Sequence, residues 1–104
     1  MSLNKTLNLL TICAKAGKLT GGFDKSLSAV KDGTSSCILL AGNVSPKTAK
    51  EVRFVCEKYN TPVYIADFTA QEAYIVLRKE YAVFSVNDNG FAKKFAEYAI
   101  DNNQ

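Results

Sequence analysis

The chain has 104 residues, 47% of them hydrophobic and 22% charged, with a net charge of +3. That is the composition of one folded domain over residues 1–104, long enough to bury a core, and not of a disordered segment. No apolar run reaches the roughly 18 residues needed to span a bilayer. The N-terminal segment around Lys5 is broken by charge and does not read as a signal peptide, so a cytoplasmic protein with no membrane partner is expected.

The elements alternate along the chain. Ser2 is a candidate cap for a first helix. Leu3, Leu7, Leu10 and Ala14 recur on one helical face, widened by Leu9, Ile12, Cys13 and Ala16, and Gly17 ends it. Leu19-Thr20 leaves room for a very short strand. The stretch 17–33, GKLTGGFDKSLSAVKDG, then places a glycine pair ahead of a second helix from about Phe23 to Asp32, with Phe23, Leu27 and Val30 on one stripe. Residues 35–41 (SSCILLA) read as a buried strand, and Gly42-Asn43 as its exit loop.

Ser45-Pro46 is a strong helix start, a cap followed by proline in the first turn. Ala49, Val52, Val55, Cys56 and Tyr59 form the apolar stripe of that third helix, and Lys47, Lys50, Arg53 and Lys58 point away from it. After the turn at Asn60-Thr61-Pro62, a strand covers 63–66. Thr69 caps a fourth helix in which Ala73, Tyr74 and Leu77 face inward, closed by residues 78–80. Residues 82–86 make the last strand. Asp88-Asn89-Gly90 leads into a final helix with Phe91, Phe95, Tyr98 and Ala99 inside, and the tail 101–104 is expected to fray.

An α-β-α-β-α-β-α-β-α order implies an α/β fold, with a mostly parallel sheet covered by helices on both faces. Ligands on such sheets sit in loops at one end of the strands. The candidates are Thr20–Phe23, Ala41–Ser45 with its Asn43, and Ala66–Thr69.

The chemistry-bearing residues exclude several function classes. Gly17-Lys18 does not close a phosphate-binding P-loop, because Leu19 stands where a metal-holding Ser or Thr is required and Ile12 where the opening glycine belongs. No dinucleotide fingerprint occurs. There is no histidine, and Cys13, Cys37 and Cys56 are too widely spaced for a zinc site. They read as buried, reduced thiols. Asp24, Asp67 and Asp88 fall in turns or at helix starts, where Asp caps backbone more often than it catalyses. An enzyme, a cofactor and a bound metal are therefore not expected.

The positive charge is uneven. Residues 1–33 carry five Lys against two Asp, residues 34–68 four basic against three acidic groups, and residues 69–104 four against five. The basic excess lies around the glycine pair, where the first turn of a helix also offers free N–H groups. Lys15, Lys18 and Lys25 suit a phosphate backbone there, or serve solubility alone.

The segments AKAGKLTGG, LSAVKDG, ILLAGNVSPKTAKEV, CEKYNTPVY and NDNGFAKKF resemble the ribosomal L7Ae/L30e family. The likeness spans residues 7–98 and is to the family's short bacterial YlxQ-like members. It implies a three-layer αβα sandwich with a four-stranded mixed sheet and helices on both faces. It also implies a non-catalytic RNA-binding protein that recognises a kink-turn or a similarly structured RNA, with association to rRNA and ribosomal proteins as a further expectation.

In that family the RNA-reading turn of the strong binders follows Gly-x-Asn-Glu-x-x-Lys. The matching positions are Gly22, Phe23, Asp24, Lys25 and Ser28, with Gly21 ahead of them. Asp24-Lys25 replaces Asn-Glu, and Ser28 replaces the lysine. Asp24 can still accept from guanine N–H groups, and Lys25 can donate to a base edge or a phosphate. The second family contact, an apolar loop against an extruded base, corresponds to Ala66, Asp67 and Phe68. Phe68 either stacks on that base or lies in the core beneath the loop. The departures also fit a protein-interaction module that has kept the fold and lost kink-turn binding.

Overall fold

The computed structural model describes residues 4–99. The element order is α1 (Lys5–Lys15), β1 (Leu19–Gly21), α2 (Phe23–Lys31), β2 (Cys37–Leu40), α3 (Pro46–Lys58), β3 (Val63–Ile65), α4 (Ala70–Leu77), β4 (Val83–Val86) and α5 (Asn89–Tyr98). Local chemistry explains most boundaries. The α1 cap is Asn4, whose side chain accepts from the amides of Thr6 and Leu7; Ser2, Leu3 and the tail 101–104 lie outside the described residues. Ser45 caps α3 by accepting from Thr48, with Pro46 at the first helical position. Thr69 and Glu72 form a reciprocal capping box on α4. Asp88 caps α5 through the Phe91 amide.

The strands form one sheet in the order β1-β4-β2-β3. Only β2 and β3 are parallel; β4 is inserted between β1 and β2 and runs antiparallel to both. The alternating element order therefore misleads about strand direction, and the sheet is mixed. Because β4 opposes both its neighbours, β1, β2 and β3 all point the same way.

Helices cover both faces of this sheet in three layers. Leu7, Leu10 and Cys13 of α1, Phe68, Ala73 of α4 and Phe95 of α5 pack on Cys37, Leu39, Phe84 and Val86. On the other face, Leu27 and Val30 of α2 and Val52 and Cys56 of α3 pack on Ile38, Leu40, Val63 and Val83. The alternation along β2 and β4 is the period of two expected of strands with both faces buried. Several residues expected inside are not. Ile12, Tyr59 and Tyr74 are each about half exposed, and Phe23 is one-third exposed. Tyr74 sits at the edge of its apolar stripe, where an amphipathic pattern does not distinguish core from rim. Phe23 and Tyr59 sit at helix ends, beyond the cover of the neighbouring layer, and Ile12 lies on the side of α1 turned away from the buried Leu7, Leu10 and Cys13.

Candidate nucleic-acid interface

With β1, β2 and β3 aligned, the loops that leave them gather at one end of the sheet. Hydrogen bonds stitch these loops together. Gly22 N–H donates to the Val83 carbonyl (2.9 Å), Ala41 N–H to Ala82 (2.9 Å), Ala66 N–H to Leu40 (2.8 Å) and Gly42 N–H to Phe68 (2.7 Å). Asn43 closes the set with its side chain: Oδ1 accepts from the Ala70 amide at 3.0 Å and Nδ2 donates to Gln71 Oε1 at 2.8 Å. Gln71 in turn donates to Glu80 (3.0 Å). Both ends of the Asn43 amide are thus engaged within the fold, and it acts here as a brace between the second loop and α4.

The glycine pair has two distinct structural roles. Gly21 ends β1 where the Tyr81 ring occupies the space that a Cβ would fill. Gly22 has φ of +106° and serves as the α2 cap with no side chain to offer. The amides of Phe23, Asp24 and Lys25 consequently face outward without an intrahelical carbonyl. Asp24 sits on this positive helix end, where its charge is favoured. Asp24, Lys25 and Ser28 are all exposed, and Asp24 and Ser28, four residues apart, share one face of α2. The arrangement offers backbone donors and an ammonium to phosphate, and a carboxylate acceptor to a base edge.

The structure brings only part of the sequence-based set together. Lys15 ends α1 and Lys18 precedes β1, so both lie at the opposite end of that strand from Gly22. The four-residue separation of Lys18 and Gly22 corresponds to roughly 13 Å of extended chain. Lys15, Lys18 and Lys25 are exposed and, among the described residues, none forms an ion pair or a ring contact. Ala66 and Phe68 are 0% and 1% exposed, so neither side chain is offered to a base, and of the two positions open to Phe68 the structure takes the core one. Phe68 packs edge-on against Phe84, with ring centroids 6.2 Å apart. Its side chain belongs to the core, because the loop folds back over the sheet end through the Gly42–Phe68 hydrogen bond. Of the 66–68 segment only Asp67 is exposed.

The cysteines lie away from this end's surface and are chemically quiet. Burial raises the Cys13 and Cys56 thiols to about 11 and Cys37 to about 12. All three are free and buried. Among the described residues there is no group of three or more His, Cys, Asp or Glu able to hold a metal, and no helix is long and apolar enough to cross a membrane.

The family model described as the ribosomal protein L7Ae/L30e/S12e/Gadd45 family matches residues 4–96. The chain belongs to this family. Within the L7Ae/L30e family, it is 30% identical over 93 residues to the RNA-binding protein YlxQ of Enterococcus faecium, covering 89% of each chain. It is 27% identical over 95 residues to large ribosomal subunit protein eL30 of Aeropyrum pernix, covering 89% of this chain and 92% of the relative. Among solved structures, a protein of unknown function from Bacillus halodurans superposes with a TM-score of 0.82 at 29% identity, covering 90% of this chain and 95% of that one. The three-layer architecture and the mixed sheet are those of the L7Ae/L30e fold.

Two features of the site had no signal in the sequence. The Asn43 brace joins a loop to the start of α4, 27 residues further along the chain. The filling of the Gly21 Cβ space by Tyr81 depends on β4 pairing with β1. Family motifs point to the glycine turn, but neither partner is visible in local pattern.

Proposed function

We propose that this chain is a non-catalytic, cytoplasmic RNA-binding protein of one domain that engages a kink-turn or a similarly kinked RNA. The observation that carries this reading is the side-chain-free cap at the half-buried Gly22, with the exposed Asp24 and Lys25 on the first turn of α2. The Enterococcus relative, an RNA-binding protein by name, supports it. The ribosomal name of the Aeropyrum relative supports rRNA as one form of the target, with ribosomal proteins as its neighbours. Phosphate oxygens meet the free amides and Lys25, and guanine N–H groups of a sheared pair meet Asp24. Gly21 sets the approach of β1. Asn43 positions the loops, and Asp67 and Ser28 border the contact. Lys15 and Lys18 meet only an RNA that runs the length of β1.

The absence of histidine from the sequence supports a non-catalytic role by removing the commonest general base. Amide chemical-shift mapping with a short kinked RNA tests the interface. Shifts centred on residues 21–28, 42–43 and 66–69 are expected. Shifts centred elsewhere would reject it.

One observation favours a second reading, a protein-interaction module on the same fold. Burial of Ala66 and Phe68 leaves only the Asp67 carboxylate exposed in that segment, and it repels phosphate. A spectrum unmoved by any kinked RNA would select that reading.

A further inference from the structure

Resting on the RNA-binding reading, we infer that the outer face of α2 and α3 is a second RNA contact, which stacks unpaired nucleotides flanking the kinked element. Phe54 is 69% exposed on α3. A single exposed apolar side chain is ordinary, but its surroundings here are not. Lys47, Lys50, Phe54 and Lys58 follow offsets of three, four and four residues, so they form one stripe along the helix. Lys50 lies one turn before the ring and Lys58 one turn after it. The Lys58 ammonium is 5.9 Å from the Phe54 ring centroid.

A hollow of about 490 Å³ separates this stripe from α2, lined by Phe23, Leu27, Phe54 and Val55, with Lys50 and Glu51 at its side. Leu27 is buried and Val55 half-buried. The accessible apolar surface is thus essentially the two rings, Phe23 and Phe54. A partner helix lays its own apolar anchors, at i, i+3, i+4 and i+7, along a continuous hydrophobic groove. Aromatic faces with cations one helical turn to either side instead match a base-stacking platform with phosphate contacts.

Charge and position agree with this occupant. The α3 helix carries four basic residues, Lys47, Lys50, Arg53 and Lys58, against Glu51 and Glu57. It starts at Pro46, directly after the Gly42–Ser45 loop at the site end of the sheet. Phe23 follows Gly22 in the RNA-reading turn itself. A strand leaving the kinked element can therefore pass Phe23 and follow the stripe, which runs about 16 Å from Lys47 to Lys58 at the rise of a helix.

The test uses the full chain and two RNAs: a kinked duplex with sheared G·A pairs, and the same duplex with a short oligouridine extension on either end in turn. Binding is titrated at about 0.15 M salt, which screens bulk attraction. One extension is expected to tighten binding about tenfold, within the range of aromatic–base stacking. Phe54→Ala should abolish that gain while leaving affinity for the bare duplex and the thermal midpoint unchanged. Phe54→Trp should retain the gain. Lys50→Gln should flatten the salt dependence by about 0.7 for the extended RNA only. Tight binding of the bare duplex with no gain from either extension, or a gain that survives Phe54→Ala, would overturn the inference and leave the kinked-RNA reading standing; the face would then fit a protein partner. Failure to bind either RNA would overturn both.

Discussion

The ring of Tyr81 occupies the space where Gly21 would carry a Cβ. The same ring packs edge-on against Phe84, with centroids 6.0 Å apart at 89°. Close approach at this point locks the end of β1 to the entry of β4, and so fixes where the Gly22 turn begins.

Gly21→Ala should therefore destabilise the fold by about 1–3 kcal/mol, the usual cost of forcing atoms into a filled site. Tyr81→Ala removes the obstruction and loses packing of its own. In the Tyr81→Ala background the further cost of Gly21→Ala should nearly vanish. A urea-denaturation double-mutant cycle measures this coupling. Additive losses would show that the two residues do not constrain each other.

The Asn43 brace makes a separate stability prediction. Asn43→Ala removes two hydrogen bonds to α4, each worth about 0.5–1.5 kcal/mol. Asn43→Asp keeps the acceptor for the Ala70 amide and loses the donor to Gln71, so its loss should be smaller. Denaturant midpoints of the two variants order these effects.

The lysines should separate by their end of β1. Lys25→Gln should weaken binding to a short kinked RNA and lower the salt slope by about 0.9, the value for one phosphate contact. Lys15→Gln and Lys18→Gln, at the far end of the strand, should leave that short RNA nearly unaffected and act only on a longer one. Titrations over a salt series distinguish the three.

Much of this organisation is legible in the residues, and the exceptions share a cause. Ser45-Pro46, Thr69 and Asp88 mark helix starts because their chemistry is local: each side chain caps amides within three residues of itself. Strand direction is not local. Nothing within 83–86 shows that this strand inserts between β1 and β2. The fate of Phe68 depends on the same long-range packing, since Phe84 of that inserted strand receives it. Tyr74 falls on an apolar stripe yet lies about half exposed, because a stripe on a helix does not define how far the neighbouring layer extends. Ile12, also about half exposed, is on the side of α1 away from Leu7, Leu10 and Cys13, an orientation the helical period already gives. The glycine turn is legible from its glycine pair and flanking lysines, and the distance of Lys15 and Lys18 from it follows once residues 19–21 are extended, because a strand sets its two flanks at opposite ends.

The thiols give a pH prediction. In the folded chain Cys13 and Cys56 titrate at about 11 and Cys37 at about 12, against 9.0 for an unperturbed thiol. Below about pH 9 both folded and unfolded thiols are protonated, and this contribution to stability does not vary with pH. As pH rises from 9 toward 11–12, the unfolded chain gives up protons that the folded chain retains, so stability falls. Denaturation midpoints should drop across that window. A disulfide-exchange reagent at pH 8 should react with all three thiols only after denaturant is added; rapid reaction with the native chain would contradict their burial.

The most direct measurement is a titration of the protein against a labelled kink-turn and the same RNA with its G·A pairs replaced, both at about 0.15 M salt. The expected result is tight binding to the kink-turn and at least tenfold weaker binding to the altered RNA, with Asp24→Ala erasing the difference. Equal weak binding to both, or none, would contradict base reading through the Gly22–Lys25 turn.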